Sequence, residues 1–297
     1  MSIERTVETS VGPFAAVDFG GSGPDVILMH DMSSNLVAMR ALGEQLAGRG
    51  FHPVALDLRG HGKTPLALDS VADVWHDMGP IVDALNMPAP ILLAEGAAAW
   101  WATMTALRGC APVSALVLIT GYPFVAEEYR TRHLLGLFTS QDVRGPLLER
   151  LLVGHRVAPA DVEPFLDGGA DAVNHDWLMS GVPAASQRAL LERALVPDGR
   201  GMLLRRPEAP AVEVATSLVG LDPFPSGEAF AHLSIPMLFI DPKPVVTDED
   251  LLALDAVTDR PNRESVLVDA VGYVAMSRPQ ELAEAVSDFF AGPGARR

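Results

Sequence analysis

The 297-residue chain is poor in cysteine and in basic residues. Its single cysteine, Cys110, excludes an intramolecular disulfide framework and is typical of a reducing compartment, so we expect a cytoplasmic protein. Lysine and arginine number 22 against 38 aspartates and glutamates, which gives a formal net charge of −16. Such a surface repels phosphate backbones and anionic lipids, and this argues against nucleic-acid and membrane partners.

The chain also lacks long apolar runs. None reaches the roughly 20 residues that a membrane-spanning helix needs. Residues 1–5 lack the basic and apolar regions that begin a signal peptide, so we expect none. The composition is nevertheless 48% hydrophobic, enough for a large buried core. The length suits one large domain, or a core with an inserted subdomain.

Short apolar runs alternate with amphipathic helical patterns along most of the chain. The patterns predict strands at 6–11, 14–19, 25–29, 51–56, 113–120, 235–240 and 265–268, and a further strand that begins at Pro90. Ser70 is predicted to cap a helix that runs to about Leu85, and Ser277 to cap the closing helix.

Two stretches carry specific motifs. Residues 57–64 follow a predicted strand and have the form D-x-R-G-x-G-x-[S/T], whose glycines permit the positive φ angles of a tight loop. We expect Arg59 in this loop to pair with Asp57 or with backbone carbonyls. Residues 90–101 pass from an apolar run through a cluster of small residues into an alanine-rich helical pattern.

These motifs resemble those of the α/β hydrolases, and the resemblance extends from residue 25 to about residue 290. It implies the α/β hydrolase fold, a mostly parallel central sheet flanked by helices with an inserted helical lid. The core is then 1–121 and 234–297. The lid subdomain is 122–233, where helical segments alternate with Gly/Pro-rich breaks and no strand of length is expected.

The family's catalytic triad does not fit this sequence. Its nucleophile elbow, G-x-S-x-G, falls on 94–98, with Gly96 where the family has serine. Tyr273 occupies the histidine slot, and no histidine follows His232. The one acid near the acid slot, Asp241, sits about three residues early. The resemblance therefore implies an elbow without a Ser-His-Asp triad and without acyl-enzyme chemistry.

Other groups offer chemistry. Asp31 replaces a glycine of the family's oxyanion loop, and apolar walls would raise its pKa toward that of a general base or acid. The alternative is a solvated loop aspartate or a helix cap. Tyr273 is the second catalytic candidate, as a proton donor or as an aromatic plug. Glu95 is expected to be a buried, hydrogen-bonded carboxylate.

The ligand site is expected to include backbone N–H groups of Met32 and Ala97 as an oxyanion cradle. The predicted substrate-binding residues are His30, Met32, Gly96, Ala97, Tyr122 and Trp177. No metal or other cofactor is expected, because no His, Cys, Asp or Glu group has ligand spacing.

Three functions stay open from the residues. The preferred one is an enzyme without a serine nucleophile, using acid–base catalysis for a cyclisation, isomerisation, elimination or lyase-type step. Its substrate is a small apolar metabolite bound between core and lid. The second is a catalytically inactive pseudo-hydrolase that binds a ligand or partner, and the third is a hydrolase that uses Asp31-activated water. The oligomeric state is open, with a homodimer as one option.

Overall fold

A computed structural model describes residues 2–120, 141–174, 179–217 and 227–292. Its strands are β1 (Ile3–Thr9), β2 (Gly12–Asp18), β3 (Asp25–Met29), β4 (His52–Leu56), β5 (Ile91–Glu95), β6 (Ala115–Ile119), β7 (Arg156–Val157), β8 (Leu195–Pro197), β9 (Leu203–Arg205), β10 (Met237–Pro242) and β11 (Arg263–Val268). Its α-helices are α1 (Val37–Gly48), α2 (Val71–Leu85), α3 (Ala97–Arg108), α4 (Gln141–Arg150), α5 (Val162–Asn174), α6 (Ala184–Ala194), α7 (Ala209–Thr216), α8 (Gly227–Ala231), α9 (Asp248–Thr258), α10 (Val274–Ser277) and α11 (Pro279–Ala291).

Eight strands form one central sheet in the spatial order β1-β2-β4-β3-β5-β6-β10-β11. The pairings of β2 with β1 and with β4 are antiparallel, and the other pairings are parallel. The inner strands β5 and β6 are buried along their whole length, as expected for parallel strands that helices cover on both faces. The predicted mostly parallel sheet is confirmed.

Two apolar clusters pack against the two faces of this sheet. One contains Trp75 of α2 and Trp101 of α3. The other contains Leu42 of α1 and Leu282 of α11. Because the parallel strands run the same way, the segments that follow β3, β5 and β11 meet at one edge of the sheet, where ligands bind in such folds. In the part of the chain that the structure describes, no helix is long and apolar enough to cross a membrane.

The segment inserted between β6 and β10 contains strands as well as helices. Strands β7, β9 and β8 form a small antiparallel sheet in that order. The prediction of a helical segment with no strand of length did not include this small sheet. Each of these strands has only two or three residues, too few to produce the alternating pattern by which strands are recognised in sequence.

In the loop of residues 57–64, one of the two predicted pairings of Arg59 occurs, the one with a backbone carbonyl. Arg59 pairs with Asp77 of α2, with Nε 2.9 Å from Oδ2 and Nη2 2.6 Å from Oδ1, and not with Asp57. Its Nη1 also donates to a backbone carbonyl, that of Ala67, at 3.3 Å. A Cβ at Gly62, where φ is +46°, would lie 2.3 Å from Cγ of Asp57. The motif therefore needs glycine here to let the backbone approach the buried carboxylate.

Asp57 instead joins the core to the inserted segment. The Nε of Arg193 on α6 donates to both carboxylate oxygens of Asp57, at 3.1 and 2.9 Å, and Asp57 is fully buried. The Nη1 of Arg193 also reaches Glu4 on β1 at 2.9 Å. Nearby, Asn35 donates to the carbonyl of Leu190 on α6 at 2.8 Å. Helix α6 is therefore fixed to the core by buried polar contacts.

The two predicted helix caps have different outcomes. Ser70 caps α2 as expected, accepting from the N–H of Ala72 at 3.3 Å. The prediction for Ser277 is wrong, because α11 begins at Pro279 with Arg278 at the N-cap position. Ser277 instead ends α10, where its hydroxyl donates to the carbonyl of Tyr273 at 3.1 Å.

Removing the charge of Arg193 should destabilise the fold. Arg193→Met leaves the buried carboxylate of Asp57 without its cation, which typically costs about 3–5 kcal/mol of unfolding free energy. Urea denaturation measures this change. Arg188→Met on the same helix is the matched control, since Arg188 pairs with Glu163 and Asp167 at the surface and its loss should leave the transition unchanged. Equal unfolding midpoints for the two variants would contradict this account of α6.

Candidate active site

The predicted elbow between β5 and α3 has the backbone geometry of a sharp strand-to-helix turn. Gly96 has φ +63° and ψ −130°, and α3 begins at the next residue, Ala97. The N–H of Gly96 donates to the carbonyl of Ile119 at 2.9 Å, so the turn is tied to the neighbouring strand β6. This backbone conformation is strained for any residue with a side chain, and glycine removes the strain.

The carboxylate of Asp31 occupies the space beside Gly96. A Cβ built on Gly96 would lie 2.3 Å from Oδ1 of Asp31 and 2.6 Å from its Cγ. The N–H of Ala97 donates to the same Oδ1 at 2.8 Å. A side chain at position 96 and the present position of Asp31 therefore exclude each other. Asp31 lies where the first atoms of a serine side chain would lie.

The backbone N–H groups expected to cradle a ligand oxyanion interact with the protein's own carboxylate. Burial raises the pKa of Asp31, while the N–H groups of Ala97 and Met32 and the hydroxyl of Ser33 partly oppose that rise. The carboxylate of Asp31 therefore has hydrogen-bond donors on several sides and a greater affinity for a proton than an ordinary aspartate. A ligand oxyanion would have to displace it from Ala97.

Tyr273 joins Asp31 through a serine. The hydroxyl of Tyr273 lies 2.5 Å from Oγ of Ser33, and both residues are buried. Burial, and secondly the charge of Asp31, raises the pKa of Tyr273. The phenol therefore keeps its proton. When the Ser33 hydroxyl donates its one hydrogen to Asp31, the phenol is the donor in its hydrogen bond with Ser33. No sequence pattern singles out Ser33, because the connection depends on Tyr273, which lies 240 residues away.

Comparisons with known proteins bear on this architecture. No protein-family model and no curated protein sequence matches the chain. A crystal structure of E-2-(acetamidomethylene)succinate hydrolase matches with a TM-score of 0.74 and 20% identity, over 98% of this chain and 100% of that one. A thioesterase domain from the curacin biosynthetic pathway matches with a TM-score of 0.69 and 17% identity, over 97% of this chain and 100% of that one. An epoxide hydrolase from an endophytic Streptomyces matches with a TM-score of 0.65 and 18% identity, over 98% of this chain and 96% of that one.

The chain has the α/β hydrolase fold. Identities this low establish the architecture and leave the chemistry to the site itself. Within the α/β hydrolase fold, the turn after β5 is the nucleophile elbow, and here it carries Gly96. The boundaries of core and lid stay a prediction.

His30, a predicted substrate-binding residue, has both ring nitrogens engaged with the backbone. Its Nε2 accepts from the N–H of Leu58 at 3.0 Å, so Nδ1 carries the hydrogen and donates to the carbonyl of Asp31 at 2.8 Å. Burial lowers the pKa of His30 well below its usual value and keeps the ring neutral. His61 packs beside it, with Nε2 2.6 Å from the carbonyl of Met32. The two rings hold the loop that carries Asp31.

Glu95 has the structural role expected of it. Its Oε1 accepts from the N–H of Ala275 at 3.1 Å, which ties the end of β5 to α10 immediately after Tyr273. Its Oε2 is buried without a hydrogen-bond partner. Burial chiefly, opposed by the N–H groups of Ala275 and Val274, raises the pKa of Glu95 to about 8. The carboxyl is therefore mostly protonated at neutral pH.

Asp241, the acid nearest the expected acid slot, is not part of this network. Asp241 is the penultimate residue of β10, where it is 1% exposed and neither carboxylate oxygen has a hydrogen-bond partner. Burial and the nearby Asp250 raise its pKa to about 7. Tyr122 and Trp177 lie outside the described residues. Within the described ranges, no group of three or more His, Cys, Asp or Glu side chains is arranged to hold a metal ion.

A side chain at position 96 should be tolerated only when Asp31 is removed. Gly96→Ala adds backbone strain of about 1–3 kcal/mol and a clash with the Asp31 carboxylate. Gly109→Ala is the control, because Gly109 also has φ +63° but has open space around the new Cβ. We expect Gly96→Ala to lower the unfolding free energy more than Gly109→Ala does.

The double variant Asp31→Gly with Gly96→Ala isolates the clash. In the Asp31→Gly background, Gly96→Ala should lower the unfolding free energy by less than it does in wild type. The difference should be on the order of 1 kcal/mol or more, because the two groups would otherwise occupy one space. Chemical denaturation of the four proteins measures this coupling. Strictly additive effects would contradict the exclusion between Asp31 and a side chain at position 96.

Glu95 should make the folded state less stable as pH rises. Because its pKa is about 8 in the folded protein, above the ordinary 4.5, the folded state binds more protons than the unfolded state between these values. The unfolding free energy therefore falls across this window, by about 5 kcal/mol for the full shift. Glu95→Gln should remove that part of the pH dependence, and the surface variant Glu284→Gln should not. Urea denaturation from about pH 5 to about pH 8 tests this, and parallel curves for wild type and Glu95→Gln would refute it.

Proposed function

We propose that this chain is an enzyme that transfers protons on a small molecule bound between core and lid, with Asp31 as its acid–base group. The observation that supports this is the position of the Asp31 carboxylate, which lies against Gly96 and accepts from the N–H of Ala97. A carboxylate with a raised pKa, at the edge of the sheet where the fold binds ligands, is suited to general acid–base catalysis.

Acyl transfer fits this site poorly. It requires a nucleophile, a base to activate it and free donors for the developing oxyanion. Gly96 supplies no side chain, and the N–H of Ala97 is bound to Asp31. The sequence has no histidine after His232 to act as the base from the loop after β11. Proton abstraction requires only a positioned carboxylate, and this supports a cyclisation, isomerisation, elimination or lyase-type step.

Tyr273 and Ser33 are assigned a supporting role. With the phenol as the donor to Ser33, the serine hydrogen is free to donate to Asp31, and this stabilises the carboxylate before it takes a proton. Because burial holds the phenol of Tyr273 in its protonated form, it acts as a donor and not as a base. The pair therefore sets the pKa of Asp31 and offers a route for a proton to leave it.

Hydrolysis by Asp31-activated water is a second candidate. It is favoured by the similarity to solved hydrolases, among them an epoxide hydrolase from Vigna radiata with a TM-score of 0.69 and 16% identity. Asp31 would then take a proton from water and not from carbon. Products formed in ¹⁸O-labelled water distinguish the two, since only hydrolysis places solvent oxygen in the product.

Asp31→Asn should abolish most of the turnover and leave the fold intact. The amide oxygen of asparagine can still accept from Ala97, but it cannot take a proton, so we expect a loss of about 10²–10⁴-fold. The assay follows conversion, and deuterium uptake from D₂O, across esters, lactones, epoxides and polyketide-like compounds. Asp25→Asn, at the opposite end of β3, is the control and should keep wild-type activity.

The pH profile gives a second measurement of the same proposal. If ionised Asp31 is the base, turnover rises with pH through its pKa, so the acid limb lies above the range of an ordinary aspartate. Tyr273→Phe should move that limb to still higher pH by leaving the carboxylate less stabilised. Equal turnover of Asp31→Asn and wild type would overturn the proposal. Saturable ligand binding without conversion would instead identify a pseudo-hydrolase.

A further inference from the structure

Arg205 is a buried cation beside the loop that carries Asp31. It ends β9 and is 3% exposed. Its Nη2 donates to the carbonyl of Ser33 at 3.2 Å, and its Nη1 donates to the carbonyl of Arg206 at 2.9 Å. Its Nε is buried and has no acceptor. The guanidinium therefore retains donor capacity that the protein leaves unused.

No carboxylate among the described residues forms an ion pair with Arg205. Of the two other buried arginines, Arg193 pairs with Asp57, whereas Arg263 also donates only to backbone carbonyls, but of residues in the segment 230–257 and not of the loop that carries Asp31. Burial lowers the pKa of Arg205 to about 10, so it remains charged at neutral pH. A buried charge that meets only carbonyl dipoles is costly, and an anion beside it would relieve that cost.

Ser33 connects this cation to the proposed acid–base network. The Ser33 carbonyl accepts from Arg205, and its hydroxyl lies 2.5 Å from that of Tyr273. The charge of Arg205 also lowers the pKa of Tyr273, which shows that the two groups are electrostatically close. Asp31 lies two residues before Ser33 in the same loop. Cation, phenol and carboxylate are therefore assembled around one short segment.

We propose that the ligand of this site carries a carboxylate, which Arg205 binds through its free Nε–H and an adjacent Nη–H. This rests on the proposed function, because it places the substrate at the loop of Asp31. The planar guanidinium presents two parallel donors that match the two oxygens of a carboxylate. A phosphate dianion would bring more charge than one guanidinium balances. The proposed substrate, a small apolar metabolite, is therefore specified further as a small carboxylic acid with an apolar body.

Simple carboxylates test the site without knowledge of the substrate. Wild type is titrated with acetate, succinate and phenylacetate at constant ionic strength set with sodium chloride, and melting temperature and binding heat are recorded. Methyl phenylacetate and inorganic phosphate are run in parallel. We expect at least one carboxylate to raise the melting temperature saturably, because a ligand that binds the folded state stabilises it. The neutral ester and phosphate should have no such effect.

Variants at two adjacent positions assign the effect to Arg205. Arg205→Met keeps the length of the side chain without its charge and should weaken carboxylate binding by about 10- to 100-fold. Arg205→Lys keeps the charge but loses the two parallel N–H donors of the guanidinium, so it should weaken carboxylate binding less than Arg205→Met does. If Arg205→Met does not fold, Arg205→Lys is the variant that tests the proposal. Arg206→Met is the matched control, since Arg206 donates to the carbonyl of Thr64, and it should bind as wild type does.

The proposal is overturned if no carboxylate binds wild type, if phosphate binds better, or if Arg205→Met and Arg205→Lys bind as tightly as Arg206→Met. Repeating the titration in Asp31→Asn separates this result from the proposed function. Arg205-dependent binding without turnover on any compound supports the carboxylate site and contradicts the enzyme. Turnover of neutral compounds that Arg205→Met leaves unchanged supports the enzyme and contradicts the site.

Discussion

At the turn after β5, the Asp31 carboxylate and a side chain at position 96 would occupy the same small volume, so only one of them can be present. The Asp31 carboxylate fills the space in which a Cβ on Gly96 would begin, 2.3 Å from its Oδ1. The same carboxylate accepts from the first N–H of α3. A serine at the turn would thus require Asp31 to leave, and Asp31 in place requires glycine at the turn. The residues at positions 31 and 96 therefore depend on each other.

The scaffold around the carboxylate is built from backbone contacts. His30 and His61 bind carbonyls of the loop that carries Asp31, and Glu95 fastens α10 next to Tyr273. These groups are buried, and their pKa values are shifted toward their neutral forms. Uncharged, hydrogen-bonded side chains thus position these loops at low electrostatic cost.

Local pattern predicted the features that depend on local physics. The apolar runs predicted the parallel strands, the small residues at 94–98 marked the tight turn between a strand and a helix, and Ser70 was identified as a cap from its own neighbours. The contacts that decide the chemistry join residues far apart in the chain. Ser33 meets Tyr273 across 240 residues, and Arg193 meets Asp57 across 136. No periodicity encodes such contacts, and strands as short as β7 leave no periodicity at all.

The attachment of α6 to the core has a consequence for how molecules enter and leave. Arg193 and Leu190 bind Asp57 and Asn35 from that helix, and Arg205 holds the carbonyl of Ser33 from the adjoining strand β9. Moving α6 and β9 away from the core would leave the buried carboxylate of Asp57 without its cation. Ligand entry and release therefore cost the least free energy by a route that does not move α6 and β9. These two elements form a fixed wall beside Asp31, and a ligand enters from another side.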